Sequence, residues 1–217
     1  MIKKKAKERI AMRYRYLRFP GGKPKAATFS YDDGVRQDIR LSNLFTQYGM
    51  KATFNLNDYA LRGERGLTPE EVEEHILKPG HEIAVHGFNH RAEGLIRPIE
   101  GIREVLDCRR MLEKTHNRIV RGMAYPDSGV REFRNGATYE SVKHYLQDLD
   151  IAYARSLGCD GGFDLPADWH CWMPTAAHSN PRIMELLQEF MARDPNTGYT
   201  KNRYPVLLYI WGHSYQF

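Results

Sequence analysis

The stretch Thr28-Phe29-Ser30-Tyr31-Asp32-Asp33-Gly34 is typical of a short buried strand that ends at two adjacent carboxylates and a glycine. Neighbouring carboxylates repel each other, and the pKa of one rises unless a cation lies close to both. The stretch therefore predicts a cation site whose other ligands come from elsewhere in the chain. The best candidates are His86 and His90, which follow the apolar run 83–85. An aspartate with two histidines leaves a bound metal an open coordination position.

Strand and helix patterns alternate along the chain on both sides of this stretch. Alternation of this kind indicates parallel strands joined by crossover helices, and six or seven such units favour an α/β barrel over an open sheet. No glycine-rich nucleotide loop follows the first strand. Predicted strands cover 26–31, 51–56, 82–85, 119–125, 151–155, 169–173 and 205–211, and predicted helices cover 37–48, 68–77, 99–115, 139–149 and 180–191.

Many of the residues able to do chemistry lie at or just beyond the carboxyl end of a predicted strand. Barrel enzymes build their active sites on this face. The sequence therefore predicts that these side chains share one site. They are Asp32, Asp33, His86, His90, Arg121, Tyr125 and His213.

Composition favours one globular domain without a leader or a membrane anchor. The 217 residues are 41% hydrophobic and 12% aromatic, and the net charge is +5. Much of that charge lies in a basic arm, so we divide the chain into an arm over 1–24 and a catalytic domain over 25–217. No nucleic-acid motif follows the arm, and no apolar run could serve as a signal peptide or span a membrane. We therefore expect a cytoplasmic protein with neither nucleic acid nor membrane as a partner.

The cysteines do not predict a structural zinc module or a disulfide framework. Their number is odd and their spacing fits neither pattern. Free thiols in a reducing compartment are the expectation for Cys108, Cys159 and Cys171.

Five motifs, taken in order, give the chain a family resemblance. It resembles the polysaccharide deacetylases, which carry the NodB homology domain of carbohydrate esterase family 4, over roughly residues 25–214. The first two motifs are the specific ones. In this sequence the motifs are Ser30 to Gly34, Gly80 to His90, Arg121 with Tyr125 and Pro126, Asp168 with Trp169, and Leu207 and Leu208 with His213.

The resemblance implies a distorted (β/α) barrel of about seven parallel strands that removes acetyl groups from a carbohydrate with the help of a metal. It assigns Asp33, His86 and His90 as ligands of one divalent ion. Zinc suits these ligands best, while Co²⁺, Ni²⁺ and Fe²⁺ remain open. The expected partner is an acetylated sugar or oligosaccharide, with the acetyl group on nitrogen or oxygen.

The resemblance also assigns the acid–base groups. Asp32 is the general base, Arg121 orients it, and His213 is the general acid, tuned by Asp168. Two simpler roles stay open: a structural salt bridge for Arg121 and a plain cap for Asp168.

Aromatic residues near the motifs are candidates for substrate contact. Tyr125, Trp169 and Trp211 can stack on sugar faces, with core packing as the alternative role. A backbone N–H near Tyr125 is expected to hold the oxyanion. Trp211 stands where the family usually has leucine, two residues before His213, which predicts a reshaped acetyl pocket. The third motif also departs from the family pattern, because its proline comes late, at Pro126.

Two other functions remain open. An amidohydrolase on a small amide would keep the fold and change the bond, although such relatives often lose metal ligands that this chain retains. A carbohydrate-binding protein with a vestigial site would need neither an acid nor a base, yet Asp32 and His213 are both present.

Overall fold

The computed structural model describes residues 14–194 and 204–217. Seven strands, all paired in parallel, form one curled half-barrel in the order β5-β4-β3-β2-β1-β7-β6. The α/β fold class with about seven parallel strands is thereby confirmed. The strands are β1 (Lys25–Asp33), β2 (Thr53–Leu56), β3 (Glu82–Val85), β4 (Gly122–Ala124), β5 (Tyr153–Arg155), β6 (Ala176–Ala177) and β7 (Val206–Gly212).

Helices connect the strands and cover the outer face of the sheet. The α-helices are α1 (Gln37–Gln47), α2 (Asp58–Leu61), α3 (Pro69–Val72), α4 (Pro98–His116), α5 (Tyr139–Asp148) and α6 (Ile183–Ala192). A π-helical turn, Glu73–Leu77, continues α3. The predicted capping box is present: Thr68 accepts from the Glu71 amide, and the Glu71 carboxylate accepts from the Thr68 amide. Sequence analysis missed α2, which Asn57 caps by accepting from the Ala60 amide.

The core lies between the sheet and the helices, because each amphipathic helix buries its apolar face there. Phe54 of β2, Met123 of β4, Val105 and Leu112 of α4, and Leu146 of α5 are fully buried in it. Within the described ranges, no helix combines the length and the apolar character needed to cross a membrane.

The sixth predicted strand, 169–173, is wrong. Asp168 accepts from the His170 amide and so caps a 3₁₀ turn over Trp169–Cys171. The strand comes later, as β6 on β7. Between the turn and β6, the chain contacts both β5 and β7, since the Trp172 amide donates to Ala154 and the Thr175 amide donates to Tyr209.

The predicted basic arm is only partly described, since residues 1–13 lie outside the described ranges. Beyond them, the Tyr14 hydroxyl donates to the Pro166 carbonyl, and a 3₁₀ turn over Pro20–Gly22 leads into β1. The boundary at residue 24 stays a prediction.

Candidate active site

Three side chains able to bind a metal meet where β1 and β3 end. Asp33 is the last residue of β1, and His86 follows β3 directly. Asp33 Oδ1 lies 3.6 Å from His86 Nε2 and 3.4 Å from His90 Nε2. Taken one per residue, the donor atoms of Asp33, His86 and His90 all lie within 4.8 Å of one another. The structure thus brings together the three residues predicted as ligands, in a spacing that suits a single ion.

Backbone geometry and hydrogen bonds aim these side chains. Asp33 and His90 have φ values of 89° and 58°, and Gly87 between the histidines has φ 72°. A tight loop with left-handed residues therefore brings His90 back beside His86. His86 Nδ1 donates to the Ala124 carbonyl over 2.9 Å, which leaves Nε2 to face Asp33. Burial lowers the pKa of His86 and favours the neutral imidazole that binds metals.

Helix α4 supports the loop that carries His90. The buried carboxylate of Glu104 accepts the backbone N–H of Asn89 over 2.7 Å and its side-chain amide over 3.0 Å. Asn89 directly precedes His90, so the carboxylate fixes the backbone that presents this ligand. The donor set, its spacing and this support fit a divalent ion of the Zn²⁺ type.

The second carboxylate of the opening stretch forms an ion pair. Asp32 is buried, and Arg155 at the end of β5 donates from Nη2 to Oδ1 over 2.7 Å and to Oδ2 over 2.5 Å. Asn55 of β2 donates to Oδ1 over 2.8 Å. Burial alone would raise the pKa of Asp32, but Arg155, His86, His213 and Asn55 outweigh it and hold the pKa below its usual range. Asp32 therefore stays ionised beside the cluster of Asp33, His86 and His90.

The predicted contact between Arg121 and Asp32 is wrong. Arg121 precedes β4, and its exposed side chain pairs with Asp150 over 2.5 Å on the surface. It lies at the amino end of its strand, the end that faces away from the site. Arg155 takes the expected position, because it ends β5 at the same edge of the sheet as Asp32. Arg121 forms a surface salt bridge, which was the alternative role considered for it.

His213 and Trp211 lie on the β7 side of the site. His213 Nε2 is 3.9 Å from Asp32 Oδ2 and 3.9 Å from Asp33 Oδ2. The Trp211 ring packs 4.5 Å from the guanidinium carbon of Arg155 and 5.9 Å from the His213 ring. His213 therefore borders both carboxylates, and Trp211 packs beside Arg155 and His213.

Asp168 does not contact His213, contrary to the predicted tuning role. Its carboxylate accepts from Lys143 over 2.6 Å, from the Tyr139 hydroxyl over 2.8 Å and from the His170 amide over 3.0 Å. Burial acts to raise the pKa of Asp168, yet these donors lower it overall. Asp168 caps the turn at His170, which was the alternative role considered for it, and it also forms an ion pair with Lys143.

Tyr125 and Trp169 do not face the site. Tyr125 is buried and its hydroxyl donates to the His170 carbonyl, while its backbone N–H donates to the Arg155 carbonyl over 3.0 Å. The amide of Tyr125 is therefore already engaged and is not free to hold an oxyanion. Trp169 lines a cavity with Thr53 and Glu82, the first residues of β2 and β3, at the opposite end of the barrel.

Sequence reasoning missed Arg155, Asn55 and Asn57, although a signal was present for each. Arg155 ends a correctly predicted strand, and Asn55 is a polar residue between two apolar residues of another. Asn57 donates to Asp33 Oδ1 over 3.2 Å, and it directly follows β2. A polar residue at the carboxyl end of any barrel strand is a candidate on geometry alone. The role of orienting Asp32 was assigned to Arg121 because Arg121 stands in the third motif.

A family model with the description "Polysaccharide deacetylase" matches residues 19–144, which is more than half of the 217 residues. The chain belongs to the polysaccharide deacetylase family. The match includes β1 to β4 with Asp32, Asp33, His86 and His90, whereas Arg155 and His213 lie beyond it. No curated protein sequence matches this member of the family.

Solved structures share the fold at low sequence identity. The Streptococcus pyogenes deacetylase PplD, in complex with acetate, is 17% identical with a TM-score of 0.56, and the match covers 70% of this chain and 64% of that one. The chitin deacetylase of the fungal pathogen Colletotrichum lindemuthianum is 14% identical with a TM-score of 0.56, covering 88% of this chain and 74% of that one.

A catalytically altered relative also shares the fold. BA3943 from Bacillus anthracis, a family 4 carbohydrate esterase pseudoenzyme, is 18% identical with a TM-score of 0.55, and the match covers 87% of this chain but 54% of that one. The deacetylase family thus includes proteins with and without activity. Membership assigns the broad class of this chain, and its own residues must support any reaction.

Proposed function

We propose that this polysaccharide deacetylase family member is an active, metal-dependent hydrolase that removes acetyl groups from a sugar or an oligosaccharide. One observation supports it most: the Asp33, His86 and His90 cluster lies directly beside an ionised carboxylate, Asp32, and a third histidine, His213. The cluster supplies a ligand set, and the other two residues supply a base and an acid. PplD was solved with acetate, the acid that deacetylation releases.

Asp33, His86 and His90 would hold the divalent ion, with Zn²⁺ the best match and Co²⁺, Ni²⁺ or Fe²⁺ as alternatives. Such an ion lowers the pKa of a bound water and polarises an acetyl carbonyl. The hydrogen bond from His86 to Ala124 and the donation from Asn57 to Asp33 keep two of the ligands oriented before any ion binds.

Asp32 serves as the general base. It is ionised because Arg155 and Asn55 donate three hydrogen bonds to it, and it can accept a proton from a water in the site. Two of these hydrogen bonds come from one guanidinium, which fixes the plane of the carboxylate as well as its charge.

His213 serves as the general acid. Its side chain is 23% exposed and lies 3.9 Å from a carboxylate oxygen of Asp32 and of Asp33, so a leaving group in the site can reach it. A protonated imidazole at this position can donate a proton to the nitrogen or oxygen that leaves the acetyl group. Trp211, between His213 and Arg155, is the side chain proposed to line the acetyl pocket.

The experiment measures acetate release from a panel of N- and O-acetylated sugars and oligosaccharides. Chelator should abolish release and added Zn²⁺ or Co²⁺ should restore it. Asp33→Ala and His86→Ala should lose bound metal and turnover together, since each removes one of three ligands. His144→Ala is the matched control, because His144 is 79% exposed and should change neither.

Metal-loaded protein that releases no acetate from any panel member would argue against deacetylation and for a different amide substrate. Protein that takes up no metal and shows no turnover would support a vestigial site. Full activity in Asp33→Ala would contradict the ligand assignment itself.

A further inference from the structure

Another cavity lies at the opposite end of the barrel from the Asp33, His86 and His90 cluster. Its volume is about 300 Å³, and its wall includes Thr53, Glu82 and Tyr153, the first residues of β2, β3 and β5. Thr28 of β1 also lines it. Asp33 lies five residues beyond Thr28 on the same strand, which separates cavity and cluster by roughly 16 Å. Glu82 and Trp169 belong to the second and fourth motifs, but the proposed reaction does not use this cavity.

Four aromatic rings form most of the cavity wall. Trp172 lies at the centre of the group, with its ring centroid 4.8 Å from that of Trp169, 5.7 Å from Tyr153 and 4.6 Å from Tyr209. The rings of Trp169 and Tyr153 stand nearly perpendicular to that of Trp172, at 76° and 84°. In each of these two pairs the edge of one ring meets the face of the other, and aromatic faces carry negative potential.

The solvent-exposed carboxylate of Glu82 borders the same cavity. Glu82 Oε2 accepts from the Thr53 hydroxyl over 2.6 Å and from the Tyr153 hydroxyl over 2.8 Å. Burial, and then the charge of Glu82, raises the pKa of Tyr153, so its hydroxyl remains a donor. Among residues 14–194 and 204–217, no lysine or arginine forms an ion pair with Glu82. The cavity therefore combines π faces with a negative charge that no basic side chain balances.

We propose that this cavity binds a small organic ammonium ion, held by the faces of Trp169 and Trp172 and by the carboxylate of Glu82. Cations over aromatic faces are attracted by the ring quadrupole, most strongly over tryptophan, and aromatic cages select alkylated ammonium groups in this way. The carboxylate adds selectivity for positive charge, and the Thr53 and Tyr153 hydroxyls hold it in place. A neutral ligand of the same shape would gain only the apolar contact.

Tryptophan fluorescence during titration with choline tests the proposal, because two of the three tryptophans line the cavity. Choline should give a saturable change, and its neutral isostere 3,3-dimethyl-1-butanol should bind at least about tenfold more weakly. Glu82→Gln should weaken choline binding by a similar factor, while its amide oxygen can still accept a hydrogen bond. Glu64→Gln removes an exposed charge elsewhere and should leave binding unchanged.

Three outcomes would overturn the proposal: equal binding of the isostere, choline binding unaffected in folded Glu82→Gln, or no saturable binding by wild-type protein. Trp169→Leu is a second variant at the partly exposed edge of the cavity and should also weaken binding. Asp33→Ala should bind choline normally. Loss of choline binding in Asp33→Ala would show that choline binds at the cluster of Asp33, His86 and His90 and not in this cavity. That result would also overturn the proposal.

A second pair of probes distinguishes two sources of the ammonium group. Glucosamine carries an ammonium group at neutral pH and N-acetylglucosamine does not. Tighter binding of glucosamine than of choline would assign the cavity to amino sugars, and the reverse order would assign it to alkylammonium ions. Equal binding of glucosamine and N-acetylglucosamine would contradict a site that selects charge.

Discussion

Asp32 and Arg155 are both buried, and each depends on the other. Breaking a buried ion pair by removing one partner leaves an uncompensated charge. Two guanidinium nitrogens of Arg155, Nε and Nη1, have no hydrogen-bond partner among the described residues, and the Trp211 ring covers the group. Arg155 is thus held by Asp32 and by packing, and its main electrostatic effect falls on the proposed base.

Arg155→Gln should move the acid limb of the pH–rate profile to higher pH. Arg155 lowers the pKa of Asp32, so without it the carboxylate takes up its proton at a higher pH and the base is lost earlier on acidification. We also expect turnover to fall by about 10- to 100-fold, the range for groups that orient a metal site. Acetate release measured across pH tests both effects.

Arg121→Gln is the control for this variant, since Arg121 pairs with Asp150 on the surface. It should leave the pH profile unchanged, and Arg155→Lys should restore part of the wild-type profile by returning the charge. An unshifted acid limb in folded Arg155→Gln would contradict the role of Arg155.

At the scale of single residues, the sequence predicted the ligand cluster better than the groups around it. Asp33, His86 and His90 lie in two local motifs, so a short stretch of sequence specifies each one. Arg155 reaches Asp32 from 123 positions away, and only the order of the strands makes them neighbours. Asp168 was ambiguous for the opposite reason, because a capping aspartate and a catalytic aspartate have the same local signature.

At the scale of elements, helix α4 and the loop that carries His90 form one unit. Glu104 of α4 accepts a hydrogen bond from the loop backbone at Asn89. Arg91 Nη1 lies 3.9 Å from Oε1 of the same carboxylate. The carboxylate also lies close to Gly87: a Cβ atom added at this glycine would be 3.4 Å from Glu104 Oε2. The geometry of the ligand therefore depends on a helix that contributes no ligand.

Glu104→Gln should weaken metal binding about 10- to 100-fold although every ligand remains. The two Asn89 donors reach different oxygens of Glu104, and a glutamine replaces one of these oxygens by an NH₂ group that would face a donor. Competition with a chromogenic chelator measures the affinity. Glu100→Gln, one turn earlier on α4 and 42% exposed, should bind metal as the wild type does. Unchanged affinity in folded Glu104→Gln would show that α4 does not support the site.

Element boundaries were predictable wherever a local signal marked them. The capping box and Pro69 placed the start of α3 to within one residue, and the apolar face of the helix predicted at 99–115 placed α4 to within one residue at each end. The short α2 lacks the repeating apolar pattern that helix prediction needs, and β6, with two residues, is too short for an alternating one. β6 exists because it pairs with the distant strand β7, whereas α2 is a single turn capped locally by Asn57.

At the scale of the whole molecule, a buried acid outside the site makes stability depend on pH. Both carboxyl oxygens of Glu93 are buried without a hydrogen-bond partner among the described residues. Burial, with a smaller contribution from Glu104, raises the pKa of Glu93 well above its usual value. The folded state therefore retains this proton to a higher pH than the unfolded state, and stability falls as the pH rises from the unfolded pKa through the folded one.

Glu93→Gln should stabilise the protein more at pH 8 than at pH 5, because it removes a group that keeps its proton to a higher pH in the folded state than in the unfolded state. Urea unfolding of metal-free protein at both values measures this, since metal binding would add its own pH dependence. Some pH dependence should remain, because burial also raises the pKa of Asp38 to about 7. Glu132→Gln, at an exposed site, is the control. A difference between pH 5 and pH 8 as large as in the wild type would contradict the assignment to Glu93.

The alternation of strands and helices predicted the parallel barrel, because each crossover connection imposes its own direction. It could not show which strand joins the sheet beside β1. That partner is β7, which pairs with β1 from Lys25↔Val206 to Tyr31↔Gly212.

This pairing has a consequence for synthesis on the ribosome. β1 leaves the exit tunnel early, yet one of its two edges must wait for a strand that starts more than 170 positions later. At ~5–20 residues per second, the wait lasts on the order of 10 s or more. During that time a nascent chain carries an unpaired edge at what becomes the middle of its sheet, beside the carboxylates of β1. Chaperones that shield open strands would therefore act on this protein mainly before its final strand emerges.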